Sequence, residues 1–155
     1  MKNLIFTAGF ILILSSCDPY MVYDNFQKTE HGQWSWADKK IFSVDIADSL
    51  KSYNILINIR HTTEYPKSNL FVFVSTTAPN GQIMRDTVEI KIADDRGKWL
   101  GDGFGDIKLI SRMYRKAVRF KYSGEYIFSI EQGMRLSEIP VTDVGLRLED
   151  FIPVR

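Results

Sequence analysis

The sequence predicts an all-β protein, an antiparallel β-sandwich of jelly-roll type, that follows a cleavable signal peptide. Two observations indicate this fold class. Apolar side chains recur at every second position in most of the chain, which is the period of a strand with one buried face. Short runs rich in Gly, Asn, Pro and Ser separate these segments, as in sandwiches built from many short strands. The pattern alone does not set the order of the strands in the sheets.

Three strands are predicted in the first half of the chain. Apolar residues alternate with polar ones at 42–46 and again at 53–59. Residues 70–77 instead form a run rich in Val and Phe, which is typical of a strand that is buried on both faces or lies near the centre of a sandwich. The Pro-Asn-Gly sequence at 79–81 predicts the turn that follows, because Asn and Gly accept positive φ angles.

The alternation continues through the second half of the chain, at 88–92, 118–122, 126–130 and 144–148. Each of these segments predicts a further strand. The segment 107–118 is ambiguous, because some of its apolar residues fit helical spacing and others fit a strand. We favour a strand or irregular structure there.

The first seventeen residues have the composition of a bacterial lipoprotein signal. Lys2 precedes an apolar stretch at 4–14, which is too short to span a membrane, and Leu-Ser-Ser-Cys follows at 14–17. Small residues before the cut admit a signal peptidase, and the Cys17 thiol accepts a diacylglyceryl group. We therefore expect residues 1–16 to be removed and Cys17 to carry fatty acyl chains such as palmitate. The alternative is an ordinary secretory signal with a cysteine there by chance.

Cleavage before Cys17 predicts a single β-sandwich domain over residues 17–155. Its first part, residues 17–33, is the membrane-proximal segment. Side chains such as Tyr20 and Phe26 make this segment too apolar for a free tether. We therefore expect it to pack on the sandwich and to hold the domain close to the membrane.

Charge and cysteine content exclude several functional classes. Without Lys2, 19 basic side chains balance 19 acidic ones, so the chain has no positive excess to bind nucleic acid or to steer it toward anionic lipids. No second apolar run approaches the length of a membrane span, so membrane attachment rests on the lipids. Cys17 is the only cysteine, and its lipidation leaves no thiol for a disulfide, a thiolate metal site or a nucleophile.

The acidic, glycine-rich segment 94–106 is the richest local cluster of polar residues. Its four carboxylates and four glycines would suit a Ca²⁺ ion, which prefers several oxygen ligands from a flexible loop. The spacing of the acids does not match an EF-hand loop. We therefore favour a long exposed turn with Trp99 packed onto the core, and we expect no metal and no cofactor.

Aromatic side chains provide another candidate site. Trp34, Trp36 and Trp99, with Tyr65 and Tyr114, would suit a platform that stacks on a sugar. The competing interpretation is that a sandwich with 13% aromatic residues buries most of them in its core or rim. Exposed members would equally mark a protein interface, where Trp, Tyr and Arg concentrate the binding energy.

The segment 131–135 combines carboxylate, amide and guanidinium groups around a glycine. Arg135 would form a bidentate pair with Glu131 or with a carboxylate of a partner protein. Its other interpretation is structural, with the segment fastening the end of a strand. We favour the structural role, because pairs of surface charges are common and weak.

Residues suited to catalysis are sparse. His31 and His61 are the only histidines, and neither lies in a metal-binding or nucleophile motif. A hydrolase would need His61 as a general base, and a hydrogen-bonded loop histidine is the simpler interpretation. No glycine-rich phosphate loop is present. We therefore do not interpret the sequence as that of an enzyme, and we assign no catalytic residue.

Several short segments along the chain, taken together, resemble one known family. They are Trp34-Ser-Trp36, Tyr53-Asn-Ile, Asn58-Ile-Arg60, Tyr65-Pro-Lys-Ser-Asn-Leu70, Asp86-Thr-Val-Glu89, Gly97-Lys-Trp-Leu-Gly-Asp-Gly103, Gly124-Glu-Tyr126, Glu131-Gln-Gly-Met-Arg135 and Asp143-Val-Gly-Leu-Arg147. No single segment is diagnostic. The ordered set after a lipoprotein signal resembles the gliding-motility lipoproteins of the Bacteroidota that are called GldH.

The resemblance implies an outer-envelope lipoprotein that is needed for gliding and is linked to the type IX secretion machinery. It implies no reaction, cofactor or catalytic residue. The expected function is a non-enzymatic interaction or assembly subunit whose partners are other envelope proteins of that apparatus. The alternative is an envelope module that binds glycans. The expected location is the periplasmic face of the outer membrane, although in some bacteria an Asp at the position of Asp18 retains lipoproteins in the inner membrane.

Overall fold

The computed structural model of the protein describes residues 18–153, so the predicted signal and Cys17 lie outside the described residues. Within this range every regular element is a β-strand. The strands are β1 (Met21–Lys28), β2 (Trp34–Ser35), β3 (Lys40–Ile46), β4 (Tyr53–Thr62), β5 (Asn69–Thr77), β6 (Ile83–Lys91), β7 (Ile107–Val118), β8 (Gly124–Gln132), β9 (Glu138–Ile139) and β10 (Val141–Asp150).

The eight long strands form two antiparallel sheets of four strands each. One sheet has the order β1-β10-β4-β7 and the other β3-β8-β5-β6, while the two-residue strands β2 and β9 pair with each other. Without the two short strands, the sheets have the chain order 1-8-3-6 and 2-7-4-5, which is the strand order of a jelly roll. The predicted fold class is confirmed, and the structure adds the strand order.

The hydrophobic core lies between the two sheets. On β3, Phe42, Val44 and Ile46 are buried while the residues between them are exposed, as a period of two requires. Ile57 and Ile59 of β4 face this layer from the other sheet and are fully buried. Because full burial of one such side chain contributes about 1.5–3 kcal/mol, these alternating residues stabilise the pairing of the sheets.

The run rich in Val and Phe forms β5, which lies between β8 and β6. Val72 and Val74 are fully buried, whereas Phe71 on the opposite face is exposed. The predicted position near the centre of the sandwich is therefore confirmed for this strand, whereas the predicted burial on both faces is wrong. The outer face is covered by neighbouring side chains only: the guanidinium of Arg85 lies 4.8 Å from the centre of the Phe73 ring.

The ambiguous segment is a strand, and β7 extends over 12 residues at the edge of its sheet. The strand predicted at 118–122 is wrong for most of its length, because β7 ends at Val118 and residues 119–123 form a loop. Phe120 nevertheless turns into the core, where its ring centre lies 4.6 Å from that of Tyr126. The apolar residues at 118–122 therefore reflect the burial of one aromatic side chain, Phe120, in a loop and not a strand.

The segment that follows Cys17 joins the sandwich as β1, an edge strand paired with β10. Arg147 of β10 binds three carboxylates around this strand. Its Nε donates to Glu149 at 2.6 Å, its Nη1 donates to Asp24 at 2.8 Å, and its Nη2 donates to Asp18. The start of the described chain is therefore held by a backbone ladder and by a charged cluster.

The strand register defines two ends of the sandwich. β1 begins at Met21 opposite Glu149, and Tyr53 at the start of β4 lies beside Val118 at the end of β7. The short connection from β3 to β4 brings the end of β3 to the same side. We call this the proximal end, because the chain enters here from Cys17, and we call the opposite end the distal end.

Candidate functional site

The three tryptophans lie in different environments. Trp34 is fully buried, and its Nε1 donates a hydrogen bond of 2.7 Å to the carbonyl oxygen of Asp38. Trp36, two residues later, is 58% exposed. Trp99 is half-buried, with its ring centre 5.0 Å from that of His61. Trp34 therefore presents no surface to a ligand, and no two tryptophan rings stack within residues 18–153.

Trp36 and Arg135 lie on neighbouring segments at the distal end. The N–H of Trp36 donates to the carbonyl oxygen of Ser137 at 3.1 Å, which fixes this residue beside the loop 133–137. Arg135 and Leu136 are exposed in that loop, and Arg135 forms no ion pair with any residue that the structure describes. We call Trp36, Arg135 and Leu136 the distal patch.

Glu131 does not pair with Arg135. Its carboxylate binds Lys39 at 2.5 Å and Arg85 at 2.7 Å, and these partners, Lys39 most strongly, lower the pKa of Glu131. The side chain of Gln132 forms two hydrogen bonds of 2.8 Å to the backbone of the loop that follows. Gln132 thus fastens the loop, and the guanidinium of Arg135 is left at the surface.

The acidic segment 94–106 is an exposed loop with ordinary turn contacts. Oδ1 of Asp94 accepts the N–H groups of Arg96 and Lys98, each at 2.9 Å. Among residues 18–153, no three His, Cys, Asp or Glu side chains lie close enough together to hold a metal ion. Phe104 projects from this loop fully into solvent, so the loop adds an apolar side chain to the distal surface.

His61 is a packing group in the core. It is fully buried between Tyr65 and Trp99, whose ring centres lie 5.7 and 5.0 Å away. Its Nδ1 lies 2.9 Å from the carbonyl oxygen of Thr62, and its Nε2 has no partner among the described residues. Burial lowers the pKa of His61, so the ring is neutral at physiological pH. No carboxylate is hydrogen-bonded to it within the described chain, so His61 lacks the partner that orients a general base.

A cleft that no sequence motif indicates opens between the two sheets, along their β6 and β7 edges. Its volume is about 440 Å³, and the buried side chains of Ile55 and Phe128 line it. The opposite side of the sandwich is closed, because Nζ of Lys40 donates to the carbonyl oxygen of Lys28 at 2.7 Å and so joins β3 to β1. The cleft exists because β6 and β7 have no strand neighbour on their outer side in the described residues.

Two side-chain contacts to Asp86 bridge this open side. The hydroxyl of Tyr114 on β7 and Nη2 of Arg115 both donate to Oδ2 of Asp86 on β6, at 2.5 and 2.7 Å. The hydrogen bonds from Tyr114 and Arg115 lower the pKa of Asp86. Burial, followed by the bond to Asp86, raises the pKa of Tyr114 to about 12. The pair therefore ties the two sheets together with a charge-assisted hydrogen bond.

The proximal end carries its own apolar surface. Exposed apolar side chains at this end include Tyr20, Met21, Val22, Leu50 and Ile152. Aromatic and aliphatic groups of this kind suit the boundary between water and lipid. No helix of the described residues is long and apolar enough to cross a membrane.

Solved structures offer only a faint likeness. A structure of infectious bursal disease virus, Gx strain, is 11% identical to this chain, with a TM-score of 0.34. That match covers 85% of this chain but only 30% of the viral chain. A subviral particle of the same virus gives a TM-score of 0.21. Such values carry no functional argument.

Sequence relatives are much closer. A "Gliding motility lipoprotein GldH homolog" of Christiangramia forsetii is 39% identical over 147 residues, covering 90% of each chain. The "Gliding motility lipoprotein GldH" of Flavobacterium johnsoniae is 36% identical over 146 residues, covering 89% of this chain and 90% of that one. The model of the family described as GldH lipoprotein matches residues 21–148, which span the sandwich from β1 to β10. The chain therefore belongs to the GldH lipoprotein family.

Proposed function

We propose that this chain is a lipid-anchored, non-enzymatic subunit that binds other envelope proteins of the gliding and type IX secretion apparatus. The names of the two relatives, both gliding-motility lipoproteins, support a role in gliding. The observation that carries the proposal is the placement of two exposed apolar surfaces at opposite ends of one sandwich. The proximal surface includes residues that follow Cys17 closely in the sequence, and the distal patch lies at the other end.

Anchoring at Cys17 would hold the sandwich against the bilayer. Only residues 18–20 separate the cysteine from β1, which begins at Met21. Three extended residues span at most about 10 Å, so the proximal end stays at the membrane surface. The distal patch is then presented away from that surface. We place the protein on the periplasmic face of the outer membrane, in line with the expectation from the sequence.

Binding at the distal patch would use residue types that concentrate binding energy in protein interfaces. Trp36 offers a large exposed ring, and Arg135 offers a guanidinium that forms no ion pair within residues 18–153. Confinement to a membrane raises the effective concentration of partners that are confined there too, so weak contacts suffice. The balanced charge of the mature chain fits contacts made by shape and apolar area.

A catalytic function and a glycan platform have less support. His61 is buried and neutral, so it is not placed to act on a substrate. The sugar-stacking hypothesis needs two exposed tryptophans side by side, whereas Trp34 is in the core and Trp99 packs on His61. Trp36 alone remains open, and a single exposed tryptophan is equally suited to a protein partner.

The test is affinity capture of the native-level, tagged lipoprotein from crosslinked membranes of a gliding member of the Bacteroidota. We expect components of the secretion motor to be recovered with the wild-type chain and to be lost with Trp36→Ala. Met113→Ala is the matched control, because it also removes an exposed apolar side chain but lies on β7. Equal recovery with both variants, or recovery of glycan alone, would contradict the proposal.

A further inference from the structure

The cleft between β6 and β7 has a mainly apolar interior. Ile55, Phe120 and Phe128, which are buried, line it together with the more exposed Ile83 and Val118. Its volume of about 440 Å³ lies within the range of small-molecule pockets, roughly 300–1,000 Å³.

The side chains that line the cleft carry an excess of positive charge. Three cationic side chains line it, those of Arg115, Arg119 and Lys121, and no carboxylate does. Arg115 is engaged by Asp86 at 2.7 Å, whereas Arg119 and Lys121 form no ion pair within residues 18–153. The net charge of the mature chain is near zero, so this local excess is a feature of the cleft. An apolar interior with a cationic rim is complementary to an anionic amphiphile.

The cationic rim faces the proximal end. Arg119 lies in the loop after β7 and lines both the cleft and a shallow surface depression that includes Tyr20, Leu50 and Ile152. Those apolar residues belong to the proximal surface. The opening of the cleft is therefore close to the bilayer when the chain is anchored at Cys17.

The chain's own lipid is a poorer occupant than a membrane phospholipid. β1 lies three strands away from β7 in its sheet, a distance of about 14 Å at about 4.8 Å per strand. The diacylglyceryl group on Cys17 would also bring no anionic head group to Arg119 and Lys121. We propose that the cleft binds one acyl chain of an anionic phospholipid of the surrounding membrane, with its phosphate held by Arg119 and Lys121.

The experiment uses the full lipidated chain in vesicles of phosphatidylethanolamine that contain phosphatidylglycerol with a diazirine at the end of one acyl chain. After irradiation, the labelled peptides are mapped by mass spectrometry. We expect labels on the peptides that contain Ile83 and Val118, and fewer labels when the diazirine is carried by zwitterionic phosphatidylcholine. Labels confined to residues 18–22 and 150–153 would show surface contact alone and would overturn the proposal.

Two pairs of variants test the interior and the rim separately. Thr76→Trp fills the cleft from β5, and Ser75→Trp places the same side chain on the outer face of the same strand. Each methylene of an acyl chain strengthens binding by about fourfold, so excluding a few of them in Thr76→Trp lowers cleft labelling by more than about tenfold. Equal labelling of the two tryptophan variants would overturn the proposal.

The rim is tested without touching the core. Arg119→Glu combined with Lys121→Glu is compared with Arg96→Glu combined with Lys98→Glu, which makes the same charge change in the exposed loop at the distal end. We expect labelling of the cleft to fall in the first double variant only. The proposal relies on anchoring at Cys17 to bring the opening to the bilayer, and flotation of the protein with the vesicles reports that anchoring independently. Floated protein with unchanged labelling in both double variants would overturn the role of the rim.

Discussion

The hydroxyl of Tyr114 on β7 lies 2.5 Å from Oδ2 of Asp86 on β6, and this hydrogen bond joins the two sheets along the side where the sandwich is open. On the other side, β1 and β3 are joined by Lys40. Without the Tyr114–Asp86 contact, the ion pair between Arg115 and Asp86, at 2.7 Å, would still join the β6 and β7 edges. The Tyr114 hydroxyl therefore contributes to holding the two sheets together beside the cleft that Tyr114 lines.

Removing the Tyr114 hydroxyl should destabilise the fold. Tyr114→Phe keeps the ring and leaves Asp86 with Arg115 as its remaining donor. A hydrogen bond to a charged group contributes about 1.5–3 kcal/mol, and partial exposure of Asp86 reduces this to about 1 kcal/mol. Urea denaturation measures the change, with Tyr122→Phe as the control, because the Tyr122 hydroxyl forms no hydrogen bond within the described residues. Equal unfolding midpoints for both variants would contradict the role given to this contact.

The ionisation of the Asp86 carboxylate should make the stability of the fold depend on pH. The pKa of Asp86 in the folded protein lies below its ordinary value of 3.8, so its contribution is present above that value. The contribution is lost as the pH falls through the lowered folded pKa. We expect the stability difference between wild type and Asp86→Asn to shrink as urea denaturation is repeated at decreasing pH below about 4. A difference that stays constant over that range would show that Asp86 is not ionised preferentially in the fold.

Arg147 should control the docking of β1. Arg147→Met keeps the apolar stem but leaves the carboxylates of Asp18, Asp24 and Glu149 without their shared cation. We expect a loss of about 2 kcal/mol in the free energy of unfolding and faster amide exchange in β1, because breaking a partly buried charged cluster leaves uncompensated charges. Arg112→Met is the control, since Arg112 is exposed and forms no ion pair among the described residues. Unchanged exchange in β1 would contradict this role.

Gly145 provides space for an aromatic ring. A Cβ atom at this position would lie 2.8 Å from two ring carbons of Phe26, and the guanidinium of Arg60 lies 4.1 Å from the centre of the same ring. Gly145→Ala should therefore cost about 1–3 kcal/mol through overcrowding. The double variant with Phe26→Leu should recover part of this cost, because the smaller side chain relieves the clash. Strictly additive effects in the double-mutant cycle would show that the two residues are not coupled.

Much of the fold could be predicted because burial on one face imposes a period of two. β3, β4, β8 and β10 show this alternation and lie where the pattern places them. β1 does not show it, because an edge strand buries few of its side chains and is held by its backbone and by Arg147 instead. Its apolar residues indicated packing on the sandwich without indicating a strand.

The functional surfaces were harder to predict because they depend on the order of strands. Trp34 and Trp36 are two residues apart, yet one is buried and the other exposed, since β2 is only two residues long and the chain turns directly after it. The cleft combines residues from several strands with the loop after β7, and it exists because β6 and β7 are both edges on the same side. Alternation carries no information about which strands become edges.

Anchored function through Cys17 is tested most directly in a Flavobacterium johnsoniae strain whose own GldH is replaced by this chain at native expression. Wild-type chain should restore gliding and secretion and should fractionate with the membrane. Cys17→Ala should yield a folded protein that is released from the membrane, with gliding and secretion lost. Normal gliding and secretion by cells that carry only Cys17→Ala would contradict the anchored-subunit mechanism.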